Sequence, residues 1–334
     1  MARKVKKFNQ IILTDRTITG IAEDSNSVCR TDDGLVCFVD GAVPGDVVDV
    51  LVKNKKKGSY YGEVHQMIKP SKNRIDAPCK HFGVCGGCKW QHFDYSGQLR
   101  EKENKVIQNM RRIGKTEPEE YLPIMGCEEP YFYRNKLEFT FSNKRWLTMD
   151  EMSPDGDVLR QPGLGLHRPG AFDKIVDIER CLLQPDPSNA IRNFVRDFCI
   201  NQGWTFFNVR AREGFLRNLI IKTTSTGEVM VVLSFHYKED ESIDKLLNAI
   251  MQKFTDITTL LYVINPKAND TILDLPIEVF YGPGYIVEQL GDVKYKLGPK
   301  SFFQTNTGQA IRLYDKALEF AALRPDDLVY DLYT

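Results

Sequence analysis

Between about residues 11 and 68 the apolar positions recur at short intervals without helical spacing. Residues 36–39, 47–52 and 60–64 are runs of β-branched or aromatic side chains, separated by the turn-forming Gly41-Ala42-Val43-Pro44-Gly45-Asp46 and by a knot of lysines. Several short strands within ~60 residues predict a small barrel of the OB type, an architecture that often binds single-stranded nucleic acid. A polar, basic linker follows over 70–78. Leu99, Val106, Ile107 and Met110 form a stripe that predicts a basic helix over 95–113, with Gly114 as its stop. From 131 to 300 the two periodicities mix. A strand is expected at 137–141, a hairpin at 164–166 and 175–178 around Pro169-Gly170, and a second at 219–223 and 229–235 around Thr226-Gly227. Helices are expected at 191–200, capped by Ser188 or Asn189, and at 243–254, with another strand at 260–264. The connections are mostly antiparallel, as in an α+β domain. Asn306 can cap a helix with the stripe Ala310, Leu313, Ala317, Leu318 and Ala321, closing at Arg324-Pro325. Residues 327–334 then read as an apolar strand suited to a buried parallel sheet.

The fold class this implies is α/β overall, in five stretches. They are a barrel at 1–70, a cysteine loop at 71–93, a basic helix and linker at 94–127, a central α+β domain at 128–300, and the beginning of a further α/β domain at 301–334. A length of 334 residues suits two or three domains. With 42% hydrophobic residues the chain is not disordered. No run approaches the ~18 apolar residues that cross a bilayer. The basic start leads into no apolar stretch of the kind a secretory signal has. The expected location is the cytoplasm, with no membrane and no obligate protein partner.

The 45 basic and 45 acidic side chains cancel, so their distribution carries the information. Lys53, Lys55, Lys56 and Lys57 form one basic knot, a second stretch runs from Lys69 to Lys115, and a third includes Arg134, Lys136, Lys144 and Arg145. Such segregation makes basic faces for an anionic partner such as nucleic acid, the plain alternative being solvated surface.

Three of the eight cysteines cluster as Cys79-x5-Cys85-x2-Cys88, among Gly83, Gly86 and Gly87. In a reducing compartment such a cluster binds metal more readily than it forms disulfides. Three soft ligands suit zinc or Fe–S. His92 would complete a local zinc site, and Cys181 would complete a four-thiolate site for a [4Fe–4S] cluster. Spacing leaves both open.

Cys79-x5-Cys85-Gly-Gly-Cys88-x-Trp90-Gln91, followed by a basic helix and Tyr133-Arg134-Asn135-Lys136, resembles the RNA uracil-C5 methyltransferases, most of all the RumA-type enzymes of 23S ribosomal RNA. Gly163-Leu-Gly165-x-His167-Arg168 and Ile175-Val-Asp-Ile178-x-x-Cys181 are similar to that family's central domain. Ser301-Phe302-Phe303-Gln304-x-Asn306 and Asp331-Leu332-Tyr333 are similar to its methyltransferase domain, and the barrel resembles a TRAM domain. The resemblance covers essentially the whole chain, with its motifs in order.

What the resemblance implies is specific. Cys79, Cys85, Cys88 and Cys181 would hold a [4Fe–4S] cluster, leaving His92 an ordinary polar neighbour and Cys29, Cys37, Cys127 and Cys199 as small packed side chains. Gln304 and Tyr333 would contact S-adenosylmethionine, and Phe302 would lie near a flipped uracil, unless it is a core aromatic. Lys55, Lys56, Lys57, Arg134 and Lys136 would meet RNA, ribosomal rather than transfer RNA. The helix at 94–127 would pack on a Rossmann-like methyltransferase domain. The nucleophilic cysteine and general base match no residue here. The chain is therefore expected to be the N-terminal portion of such an enzyme, truncated before most of its catalytic domain, binding RNA and a cluster without methylating. A non-enzymatic, zinc-dependent nucleic-acid-binding protein is the alternative.

Overall fold

A computed structural model describes residues 11–22, 24–148, 151–152 and 161–332. The chain divides into two compact units, Met1–Glu128 and Glu129–Thr334. In the first, β1 (Ile11–Thr17), β2 (Gly20–Ile21), β3 (Ser27–Arg30), β4 (Val36–Asp40), β5 (Val47–Lys56) and β6 (Ser59–Lys69) form one sheet in the order β1-β5-β6-β4-β3-β2. Neighbours are antiparallel except β4 and β6. Thr17 pairs with Val47 on one edge, while Gly20 pairs with Val28 on the other. The chain between Thr17 and Gly20 spans at most ~11 Å. A flat sheet of six strands would hold its edges ~24 Å apart, so this one must roll into a barrel. Its interior is filled by Ile18, Cys29, Cys37, Val39, Val48 and Val50. Lys57 and Gly58 both have positive φ, which gives the β5–β6 turn the twist that flanking strands need.

One buried carboxylate fastens the barrel to the linker that leaves it. Asp46 accepts from the Val43 amide at 2.8 Å, the Ser71 amide at 2.8 Å, and Arg74 Nη2 at 2.6 Å. Arg74 also donates to the Gly41 carbonyl at 2.9 Å, so both ends of the Gly41–Asp46 turn are held by one guanidinium. Burial alone would raise the Asp46 pKa, but the ion pair with Arg74 and the two amide donors outweigh it and hold it below the ordinary range. Gly45 is required here: its φ is +91°, and a Cβ would come within 2.7 Å of Ser71 Oγ.

The basic helix α1 (Tyr95–Asn109) starts at Asp94, whose side chain accepts from the Gly97 amide, and ends in a π-helical turn, Met110–Gly114. Its expected stripe is not a buried face: Val106 is exposed and Gly97 is the helix's buried residue. The helix is instead fixed at its N-terminal end, where a Gly97 Cβ would collide with the Phe93 ring and Gln98 donates to the Trp90 and Phe93 carbonyls. Cys127 is half-buried rather than packed in a core, unlike Cys29, Cys37 and Cys199.

In the second unit β7 (Lys136–Ser142), β8 (Gly163–Arg168), β9 (Ala171–Asp177), β10 (Leu216–Thr223), β11 (Val229–Phe235), β12 (Thr259–Ile264) and β13 (Glu278–Tyr281) form a sheet in the order β13-β12-β11-β10-β7-β8-β9. Its one parallel pair, β11 and β12, is joined by α3 (Asp240–Lys253), the crossover that parallel pairing demands. Every residue of β10 and β11 is buried, so these two strands are the centre of the core. Ile220, Met230, Val232, Leu261 and Val263 pack with Ile286 and Leu297 of the hairpin β14 (Ile286–Leu290) and β15 (Val293–Leu297). Further apolar residues are buried on α2 (Ser188–Asn201) and α3, which meet through Phe194 and Phe254 at 5.5 Å. Asn306 caps α4 (Thr307–Ala321), accepting from the Gln309 amide at 3.0 Å.

Two expectations are corrected. Neither Ser188 nor Asn189 caps α2: Pro187 stands at that position, and the Asn189 side chain is occupied by Cys181. Residues 327–332 are not a strand. No neighbouring strand takes up their backbone groups among the described residues, and Leu332 is 91% exposed.

Replacing Asp46 with Asn should cost the first unit about 3 kcal/mol, since it leaves Arg74 without its counter-charge. Because the Asp46 pKa is depressed by folding, its contribution is complete above the ordinary carboxylate value of ~3.9 and is lost as pH falls below it. Urea unfolding of both forms from pH 7 to pH 3 should show the gap closing with acid.

Candidate functional site

Two sequence motifs some 170 residues apart meet in the second unit. The Asn135 amide donates to the Thr305 carbonyl at 2.9 Å, and its side chain donates to the Gln304 carbonyl at 2.7 Å and to Thr307 Oγ1 at 3.1 Å. Arg134 forms a β-bridge with Asn306. The Asn135 carbonyl in turn accepts from the Thr223 amide at the end of β10, so this residue ties the Ser301–Asn306 segment to the central sheet.

From the same strand Lys222 reaches the other end of that segment. Its ammonium donates to the Gly298 carbonyl at 2.9 Å and the Ser301 carbonyl at 3.0 Å. Burial lowers its pKa to about 8, with Lys136 pushing the same way. Thr307, the first residue of α4, donates to Glu288 at 2.8 Å. Glu288 is wholly buried and also accepts from the Ser225 amide at 3.0 Å. The segment is thus fixed by its backbone, while two of its side chains project: Phe302 is 82% exposed and Gln304 is exposed. Phe302 is therefore no core aromatic. Phe303 is the packed one, against the Ile220–Leu297 core and Tyr295. Tyr333 lies outside the described residues.

Asn135 stands in a recognisable motif, whereas Lys222, Glu288 and Thr307 belong to none. A lysine inside an apolar strand was the one available clue, because burying a charge is costly without partners.

The Cys79–Cys88 loop sits in the first unit and is pinned by Gln91, which accepts from the Cys79 amide at 3.2 Å and donates to Cys88 Sγ at 3.1 Å. The Gly87 amide donates to Cys85 Sγ at 3.3 Å. Trp90 anchors the loop to the barrel through the Ser25 carbonyl at 3.1 Å. His92 is buried with its ring 4.8 Å from Phe82, and burial lowers its pKa. Among the described residues no three His, Cys, Asp or Glu side chains converge as a metal ion requires.

In the second unit Cys181 is buried, its backbone held by a reciprocal pair with Asn189: the Cys181 amide donates at 2.7 Å and its carbonyl accepts at 3.0 Å. Arg192, wholly buried, donates to Asn189 at 3.0 Å and to the Glu179 carbonyl at 2.7 Å.

The predicted basic residues divide into two kinds. Lys55, Lys56 and Lys57 are exposed at the β5–β6 turn, with Lys55 4.7 Å from the Tyr60 ring centre and Lys56 5.9 Å from that of Tyr61. This is the interleaving of cations and aromatic faces that suits single-stranded nucleic acid. Arg134 is half-buried, and its buried Nε has no hydrogen-bond partner among the described residues. Lys136 pairs with Glu138 at 3.8 Å on β7. No described helix is long and apolar enough to cross a membrane.

Comparison with known proteins gives a consistent picture. A model of the TRAM domain matches residues 17–65. A Bacteroides thetaiotaomicron protein described as an uncharacterized RNA methyltransferase is 49% identical over 94% of this chain and 70% of its own length. One from Porphyromonas gingivalis, described in the same words, is 48% identical over 95% of this chain and 69% of its own. Both relatives are longer than this chain, which spans about 70% of their length. The crystal structure of Pyrococcus abyssi tRNA (uracil-54, C5)-methyltransferase with S-adenosyl-L-homocysteine superposes with a TM-score of 0.62 at 24% identity, over 91% of this chain and 64% of that one.

Lys222→Met should flatten the pH dependence of stability in the alkaline range. The folded pKa of about 8 lies below the ordinary 10.5, so between these values the unfolded chain binds the proton that the folded one has released. The parent's stability therefore rises with pH across that window, and the variant's should rise less, as measured by chemical unfolding from pH 7.5 to 10.5.

Proposed function

This chain belongs to the RNA methyltransferase family, and we propose that it serves the branch acting on C5 of uracil, with 23S ribosomal RNA as the substrate. The observation that carries this reading is the clamp of Tyr133–Lys136 onto Ser301–Asn306, which fixes a backbone while leaving Phe302 and Gln304 exposed. Gln304 and Tyr333 contact S-adenosylmethionine, which supplies the methyl group. Phe302 offers a face to a uracil turned out of its stack, replacing stacking that the RNA gives up. Lys55, Lys56 and Lys57, with Tyr60 and Tyr61, grip single-stranded RNA. Arg134 and Lys136 neutralise phosphate near the clamp.

Uracil C5 is a poor nucleophile until a thiolate adds at C6, and a base must later remove the C5 proton. None of the eight cysteines is assigned that thiolate, so this chain by itself binds RNA without transferring methyl groups. Cys79, Cys85 and Cys88 supply thiolates for a [4Fe–4S] cluster, and the resemblance assigns the fourth to Cys181. The cluster's role is structural. The barrel and the cysteine loop together favour ribosomal RNA. At 24% identity the substrate of the Pyrococcus abyssi enzyme does not carry over.

Labelled S-adenosylmethionine, uridine-containing RNA and this chain should give RNA retained on a filter but unlabelled, with retention falling steeply as salt rises. Label in the RNA would overturn the assignment of the thiolate, and no retention at low salt would overturn the RNA reading. Anaerobically purified protein should be brown with about four iron atoms per chain. Cys181→Ser should abolish the colour. Colourless protein whose zinc survives that substitution would favour Cys79, Cys85, Cys88 and His92 as a zinc site.

A further inference from the structure

A second basic and aromatic surface lies in the second unit, away from the clamped segment. A cleft of about 1040 Å³ opens where the end of β7, the β8–β9 hairpin, residues 207–211 and residues 268–270 come together. Its floor is rigid. Arg217 is buried, donates to the Asn265 carbonyl and Asp270 at 2.8 Å each, and lies 4.2 Å from the Phe207 ring centre. One wall is the chain after β7, where the Trp146 amide donates to the Ile175 carbonyl at 2.6 Å.

The rim combines two chemistries. Arg168 lies 4.7 Å from the Trp146 ring centre, and Arg210 lies 5.6 Å from that of Phe172. Phe172 is 66% exposed although it sits on a strand of the sheet, so its ring contributes little to the core. Lys and Arg outnumber Asp five to two among the described lining residues. Asp173 pairs with Arg210, Asp270 with Arg217, and Glu151 with Arg145. Lys144 makes no ion pair among the described residues, and Lys174 has only a long approach of 3.9 Å to Asp173. A cleft with cationic charge left over and aromatic faces held in place by cation–π contacts suits an unpaired polynucleotide strand, whose bases stack while its phosphates meet lysine. A protein partner would call for a larger exposed apolar centre than Phe172 and Met152 provide.

We propose that this cleft binds a single-stranded segment of the RNA substrate, with a base stacked on Phe172 and flanking phosphates held by Lys144 and Lys174. The proposal rests on the RNA reading above and adds a second anchoring point, distinct from the barrel's lysine turn. A strand held at two places is fixed in direction as well as position.

The test is fluorescence anisotropy of a labelled, unstructured uridine-rich RNA with the whole chain, at several salt concentrations. Phe172→Ala should weaken binding by roughly fivefold or more with the salt dependence unchanged, because stacking is not ionic. Lys144→Ala with Lys174→Ala should reduce the slope of log affinity against log salt by ~0.7 for each phosphate that is no longer neutralised. All three side chains are exposed, so the variants should melt with the parent. Parent-like affinity in Phe172→Ala would overturn the cleft while leaving the RNA reading intact, provided that Lys55, Lys56 and Lys57 to Ala still weakens binding. Absence of RNA binding by the parent would overturn both. Equal competition by heparin against parent and Phe172→Ala would reduce the cleft to a general anion patch and also count against it.

Discussion

The clamp depends on a single requirement: the backbone carbonyls of residues 298–305 have to find donors, and side chains rooted in the central sheet provide them. Lys222 caps two carbonyls at one end of the segment, and Asn135 takes the backbone at the other. Both anchors sit on or beside β10, whose burial leaves them little freedom. A loop tethered in this way loses its conformational entropy during folding instead of at the moment a ligand arrives, which is how preorganisation raises affinity. The exposed Phe302 and Gln304 are then aimed by the fold.

The barrel unit solves a similar problem with a carboxylate. Asp46 gathers the Gly41–Asp46 turn, Ser71 and Arg74 around one buried charge, so the linker leaves the barrel along a fixed path. The lysine turn stands at the far end of the long β5–β6 hairpin, away from this anchor in sequence. Its cations lie on tyrosines, and a flexible side chain restrained by an aromatic face has less entropy to lose on meeting RNA.

Cysteines in this chain serve different ends according to their surroundings. Cys29 and Cys37 face each other across β3 and β4 in the barrel interior, and Cys199 is buried on α2, all three as small apolar side chains. Cys85 and Cys88 instead accept N–H donors from Gly87 and Gln91. Cys181 has its backbone fixed by Asn189, which Arg192 holds in turn. The residue type alone does not distinguish these surroundings; burial and the partners around each cysteine do.

Local pattern is enough to reveal the barrel, the two central hairpins, the α3 helix and the Asn306 cap, because each is written in nearby residues through periodicity, turn chemistry or a capping side chain, whereas the parallel β11–β12 pairing that makes α3 a crossover is not. The spacing of Cys79, Cys85 and Cys88, and the separate motifs Tyr133–Lys136 and Ser301–Asn306, are also visible there. Long-range partnership is not. Lys222 and Glu288 look like misplaced charges in the sequence, and only the folded sheet shows the carbonyls and hydroxyls that make them tolerable. Residues 327–332 carry a strand's composition, yet a strand exists only where another chain segment offers its hydrogen bonds. The Phe172 cleft follows the same rule, since its walls come from four separated stretches that no local periodicity connects.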